Sequence, residues 1–463
     1  MLIDNEDCII LNMKIKIFES LKLKFGQPDW ARNTELAVAD TILELNPHLI
    51  EIVAPDIIAN DKESKFGRKD TPSVEQILRA AIYKEKKHCT YRELELAQAD
   101  SRICAHFMKI NHERPYSFQV LHKYISRIKA ETLEKLMVEI NKIAFEADNI
   151  ETLKKFREDS TVVETNIHYP TNNTILFDCI KESHRLLRYL KEEINSLKYT
   201  NYQQKGKKRC FKIAVEKSKE KRKALFKEQL KLFTKCINQV SDVLDQKLES
   251  TGNIRVIGII EMLKELLPIL HKVYKMTHDR EILGKQVPND EKIFSIYEQH
   301  TDIIVKGQQK CKFGHKVDLG TGVSNLILTC SIPRGNPNDN EFFCNTIDAI
   351  KRDYGKAPES VVTDGGYASK NNQKHAASEG VKNVVFNKIT NSMKNIVESP
   401  SLEKELMRWR SGMEAVISNL KRGYKLVRCN WKGWEHFKSK VYWSIIAYNI
   451  RVLTGHILSK LPA

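Results

Sequence analysis

Residues 154–171 read KKFREDSTVVETNIHYPT. The β-branched run Thr161, Val162, Val163 sits between charged residues and ends near Pro170, which predicts a strand from about 155 to 165. Successive side chains of a strand point to opposite faces. Asp159 therefore shares a face with Thr161 and Val163, while Glu158 points the other way. A carboxylate inside an otherwise buried strand is costly unless it is paired, protonated or metal-bound. Asp159 is the first candidate for chemistry, and Glu158 is the runner-up.

The chain on either side has different character. Residues 1–155 read as helical. TPSVEQILRAAIYKEK (71–86) opens with Pro72 at an early helix position and carries an apolar stripe at Val74, Ile77, Leu78 and Ile82. TYRELELAQ begins with Thr90 and has Glu93 three residues later, a capping box. PYSFQVLHKYISRIK (115–129) is amphipathic and basic. Short helices with a basic late member suit a helix-turn-helix DNA reader or a plain bundle. ANDKESKFGRKD (59–70) reads as an exposed loop. Residues 172–300 are helical again and rich in Lys and Arg, as in KGKKRCFKIAVEKSKEKRKALFKEQLKLF (205–233); they read as an inserted helical hairpin or small bundle.

Strands then return. CKFGHKVDLGTG (311–322) and VSNLILTCSIPRG (323–335) look like a hairpin. A helix closed by Gly355, a short buried strand in ESVVTDGGYAS (359–369), a helix, the strand VKNVVFNK (381–388) and a long helix over 401–424 follow. Without the insertion, three antiparallel strands followed by alternating helix and strand describe an RNase H-like α/β domain with a mixed five-stranded sheet. The expected organisation is an all-α N-terminal domain over 1–155, a catalytic domain over 156–171 and 301–463, and an α-helical insertion over 172–300. The apolar face of residues 433–458 predicts a last helix packed on the catalytic domain.

The 463 residues carry a formal net charge of +17, which makes nucleic acid the first partner to consider. Ten scattered cysteines include no CxxC pair, arguing against zinc ribbons and a secreted disulfide scaffold. The N-terminal segment fits a signal peptide poorly, and no apolar run approaches the ~20 residues of a membrane span. A reducing cytoplasm is the expected location.

In RWRSGMEAVISNLKRG (408–423), Arg410, Glu414 and Lys421 return to one side of a helix. They lie beside an apolar stripe of Leu402, Leu406, Trp409, Met413, Val416 and Leu420. Such a row can rim a cleft or form an ordinary surface ion pair. Asp364 follows the apolar SVV of its strand and precedes Gly365 and Gly366. Sites in α/β sheets gather at the carboxyl ends of strands, although Asp is also a common turn residue. Carboxylates brought together repel and need a cation; hard oxygen ligands suit Mg²⁺, with Mn²⁺ as a substitute.

REDSTVVETNIHYPT, VVTDGGYAS and RWRSGMEAVISNLKRG together resemble the three acidic motifs of bacterial insertion-sequence transposases of the DDE type. The last is similar to the R-x3-E-x6-K part of their Y-R-E-K signature, with Met407 at the tyrosine position. The resemblance implies that Asp159, Asp364 and Glu414 are the catalytic, metal-binding carboxylates and that Arg410 and Lys421 grip DNA. It implies two-metal, Mg²⁺-dependent cleavage at terminal inverted repeats and strand transfer into target DNA. It further implies a homodimer on DNA and a nucleoid-associated location. A structure-specific nuclease on the same fold, or a catalytically silent DNA-binding derivative, are the alternatives.

Overall fold

The computed structural model describes residues 17–59, 71–147, 149–246, 248, 252–305, 310–389 and 393–461. The expected loop at 59–70, apart from Ala59, and the N-terminal segment before Ile17 lie outside the described residues. Two compact units divide the chain: Met1–Glu164 with His315–Ala463, and Thr165–Gly314.

The first unit opens with helices at 17–25 (α1), Pro28–Ala31 (α2), Thr34–Leu45 (α3), His48–Ile58 (α4), Val74–Lys87 (α5), Tyr91–Asp100 (α6), Arg102–Phe107 (α7), Phe118–Ile125 (α8) and Ala130–Glu146 (α9). The expected capping box of α6 forms between Thr90 and Glu93. In α5 the box is Ser73 with Gln76. Pro72 thus stands before the cap rather than inside the helix, because the Ser73 hydroxyl supplies the acceptor that the helix start needs. The apolar stripe of α5 is buried, and its core continues without a break into that of the sheet.

The sheet has seven strands: Lys155–Thr165 (β1), Asp302–Ile304 (β2), Lys312–Thr321 (β3), Ile327–Ser331 (β4), Ser360–Thr363 (β5), Asn383–Phe386 (β6) and Arg428–Cys429 (β7). Their order is β2-β3-β1-β5-β6, with β4 on β3 and β7 on β1. The five strands expected from the sequence are present, and β2 and β7 are additions of three and two residues. Strand length explains β2: β3 outruns its hairpin partner β4, so Lys312–Gly314 pairs with β2 and Asp318–Thr321 with β4. β1, β5 and β6 run parallel. This mixed sheet with helices fits an RNase H-like α/β domain.

Neighbouring valines on β5 and β6 face opposite ways. Val361 and Val384 join the main core, shared with Phe343–Tyr354 (α14) and Lys370–Ser378 (α15). Val362 and Val385 meet Leu406 of Pro400–Arg410 (α16) on the other face. Trp434–Ser459 (α18) packs against α9 and α5. The single helix expected over 401–424 is two, α16 and Gly412–Gly423 (α17).

The second unit builds its own apolar core from Asn172–Glu193 (α10), Gln203–Val215 (α11), Lys219–Asp245 (α12) and Ile254–Thr277 (α13). α13 runs through Pro268. Among the described residues, no helix is long and apolar enough to cross a membrane.

Candidate active site

The parallel register of β1 and β5 brings two predicted residues together. Glu158 pairs with Thr363, so one step further along both strands sets Asp159 beside Asp364, at the carboxyl end of β5. Gly365 makes the turn possible: a Cβ there would lie 2.7 Å from the Asn387 carbonyl oxygen, so only glycine lets the two backbones approach. The chain then enters a short 3-10 turn, Gly365–Tyr367.

Arg410, the last residue of α16, spans the two aspartates. Its Nη2 lies 3.2 Å from Asp159 Oδ2 and 3.7 Å from Asp364 Oδ2. Its Nε is buried with no hydrogen-bond partner. One guanidinium thus offsets the repulsion of two carboxylates and keeps a donor in reserve.

Arg157, two residues before Asp159 on the same face of β1, explains why the helix divides here. Its side chain is buried. It donates to Thr321 Oγ1 at 3.0 Å, to the Trp409 carbonyl at 2.5 Å and to Asn325 Oδ1 at 2.5 Å, and its guanidinium stacks 4.5 Å from the Trp409 ring centroid. A guanidinium occupies a carbonyl that would otherwise accept within a continuous helix, and α17 restarts at Gly412. A Cβ on Gly412 would lie 2.3 Å from Arg157 Nη1. Burial lowers the Arg157 pKa to about 10, so it stays charged at neutral pH.

Glu414 is exposed on the first turn of α17, and Lys421 lies half-buried on its last turn. Asp159, Asp364 and Arg410 therefore converge, while Glu414 stands one turn beyond the junction. Trp409 and Met407 pack with Leu402 and Val397 against Val362, Val385 and Leu406. Met407 thus serves apolar packing at the position where the signature has tyrosine.

Two aspartate oxygens face one cationic nitrogen, and the third carboxylate stands on the adjoining helical turn. Hard oxygen donors are the type a divalent cation takes, but these three are not among the described groups whose ligand atoms lie within 4.8 Å of one another. Another group, Asp348, His375 and Glu379, has ligand atoms within 4.8 Å of one another. His375 is already bonded to Asp348 at 2.7 Å, and Lys351 to Glu379 at 2.7 Å, so its charges are met by surface pairing.

On the opposite face of β1, Glu158 is fully buried and accepts from Thr346 Oγ1 at 2.6 Å. Burial and the nearby Asp318 carboxylate push its pKa well above the usual range. Tyr367, just past Asp364, donates to Asp318. Asp339 accepts from Ser160 at 2.9 Å and from Lys316 at 3.0 Å. Strand alternation was the available signal for both Arg157 and this buried group, since each lies within two residues of Asp159.

Residues 289–450 match the family model of the transposase DDE domain. The matched segment includes Asp364, Arg410, Glu414 and Lys421; Asp159 precedes it, on the far side of the helical unit. Among the curated proteins and the solved structures, nothing matches. The family match, the mixed sheet and the acidic site support a DDE-type transposase, a class that acts on DNA.

Proposed function

We propose that the protein is an insertion-sequence transposase that cuts terminal inverted repeats and joins the freed 3′-OH to target DNA. The observation that carries this reading is the Arg410 bridge between Asp159 and Asp364, on adjacent parallel strands with Glu414 one helical turn away. Asp159, Asp364 and Glu414 would hold Mg²⁺, or Mn²⁺ in its place. When bound, such an ion supplies charge neutralisation at the phosphate and activation of a hydroxyl nucleophile. Phosphoryl transfer asks the protein mainly for positioning and electrostatics.

The chain's own residues supply both. Arg157 fixes the junction that orients Arg410 and Glu414. Arg410 keeps the aspartates together, and its guanidinium places a positive charge beside them for a DNA phosphate. Lys421 grips the same strand further along α17. The helical first 155 residues bind the transposon end, the protein acts as a homodimer on DNA, and its place is the cytoplasm, on the nucleoid.

The test is end cleavage with Mg²⁺ and strand transfer from a pre-cut end. Asp159→Asn, Asp364→Asn and Glu414→Gln should each abolish cleavage while end binding persists. Wild-type protein that cleaves but never joins a pre-cut end is a nuclease. Protein that binds its ends and does neither is a silent DNA-binding derivative.

A further inference from the structure

A cavity of about 650 Å³ opens in the first unit between the end of α5, the start of α6 and the segment joining α17 to α18. Known ligand pockets span roughly 300–1,000 Å³. Lys84 and Glu85 line it at 6% and 4% exposure. The Lys84 ammonium donates to Glu85 Oε1 at 2.8 Å, and Lys440 donates to the other oxygen. Two ammoniums thus share one carboxylate, leaving a positive charge in a largely dry wall. An ammonium removed from water is costly unless an anion compensates it. The rim adds Lys425 and Lys432, both exposed.

The same wall is aromatic. The Lys84 ammonium lies 4.8 Å from the Tyr91 ring centroid and 5.3 Å from that of Trp431. Inorganic phosphate would use the lysines but not flat rings; a purely apolar ligand would use the rings but strand the charges. A molecule with an anionic group beside a planar base uses both.

We infer that this cavity binds a nucleoside phosphate, its phosphate on the Lys84 and Lys440 ammoniums and its base against Trp431 and Tyr91. The ligand is either a free nucleotide or one unit of a DNA strand. Tyr424 lines the cavity and caps α17 through its N–H to the Leu420 carbonyl. At 1.5 Å per helical residue it stands about 15 Å from Glu414, a span of roughly four nucleotides at 3.4 Å each. A strand held at the carboxylates can therefore reach the cavity.

Calorimetric titration of full-length Asp159→Asn protein in EDTA keeps cleavage silent, so its outcome is independent of the proposed catalysis. dAMP should bind at least about ten-fold tighter than inorganic phosphate or deoxyadenosine. Trp431→Ala and the exposed Lys432→Glu should each weaken dAMP about ten-fold or more, and Lys432→Glu should do so with unchanged melting temperature. Displacement of dAMP by a short single-stranded oligonucleotide assigns the cavity to a DNA-borne nucleotide; retention of dAMP assigns it to a free one. Phosphate binding as tightly as dAMP, or dAMP affinity in either variant equal to that of the Asp159→Asn parent, overturns the proposal.

Discussion

Glu158 and Asp159 are adjacent carboxylates on one strand, and the two faces of β1 treat them in opposite ways. Asp159 looks toward the α16–α17 junction, where Arg410 meets it and Arg157 lies two residues away. Glu158 looks into the core, where Thr346 donates to it and Asp318 stands close. One face supplies cations. The other supplies hydroxyls and excludes water, which favours the protonated form. The back face also ties the site together, since Tyr367, three residues past Asp364, is anchored on Asp318. Position in the sequence says little about what an acidic residue does; the face it occupies says a great deal.

The largest effect should separate these neighbours by activity. Asp159→Asn should lower end cleavage about 10³-fold or more, the scale of losing a group that acts directly on the reacting charge. Glu158→Gln keeps an acceptor for Thr346 and should retain cleavage within about ten-fold. A gel assay on labelled ends decides it. A dead Glu158→Gln beside an active Asp159→Asn would move the first ligand to the other face.

Stability should respond next. Arg157→Met removes the guanidinium that bonds Thr321, Asn325 and the Trp409 carbonyl and should cost about 2–4 kcal/mol. Gly412→Ala drives a methyl into that guanidinium and should cost about 1–3 kcal/mol. Because the two changes share one contact, the alanine should cost less in the Arg157→Met background. Urea titrations of the four proteins form the cycle; strictly additive losses would mean that the guanidinium does not set the junction.

Much of this architecture was legible before any coordinates. β1 falls at Lys155–Thr165, where the β-branched run predicted a strand, and Gly355 closes α14 as a left-handed cap. Local patterns suffice where one short segment determines its own structure. The break at Ser411 was not legible, because residues 401–424 carry one unbroken helical stripe and the interruption comes from Arg157, about 250 residues away in sequence. β2 and β7 escaped for a related reason: strands of two or three residues exist only because β3 and β1 are long enough to pair with them. The Arg410 bridge needed the β1–β5 register, which no single segment contains.

The smallest effect tests whether the back face holds protons. Burial lifts Asp318 from 3.8 to about 6, and burial with the nearby Asp318 carboxylate lifts Glu158 well above 4.5. The folded chain therefore binds protons that the unfolded chain has already released. Stability from this pair is full below about pH 4 and is lost as pH rises through 6 and beyond, at up to about 1.4 kcal/mol per pH unit for each proton held. Glu85 carries the opposite sign: despite its burial, Lys440 and Lys84 hold its pKa at about 2, so its contribution is present above 4.5 and lost on acidification. The two windows barely overlap. Asp318→Asn should flatten the fall in unfolding free energy between about pH 4 and pH 7 while leaving the acid limb in place. A wild-type curve that rises across that interval, or an Asn variant with the same slope, would mean that the carboxyls behind Asp159 are ionised after all.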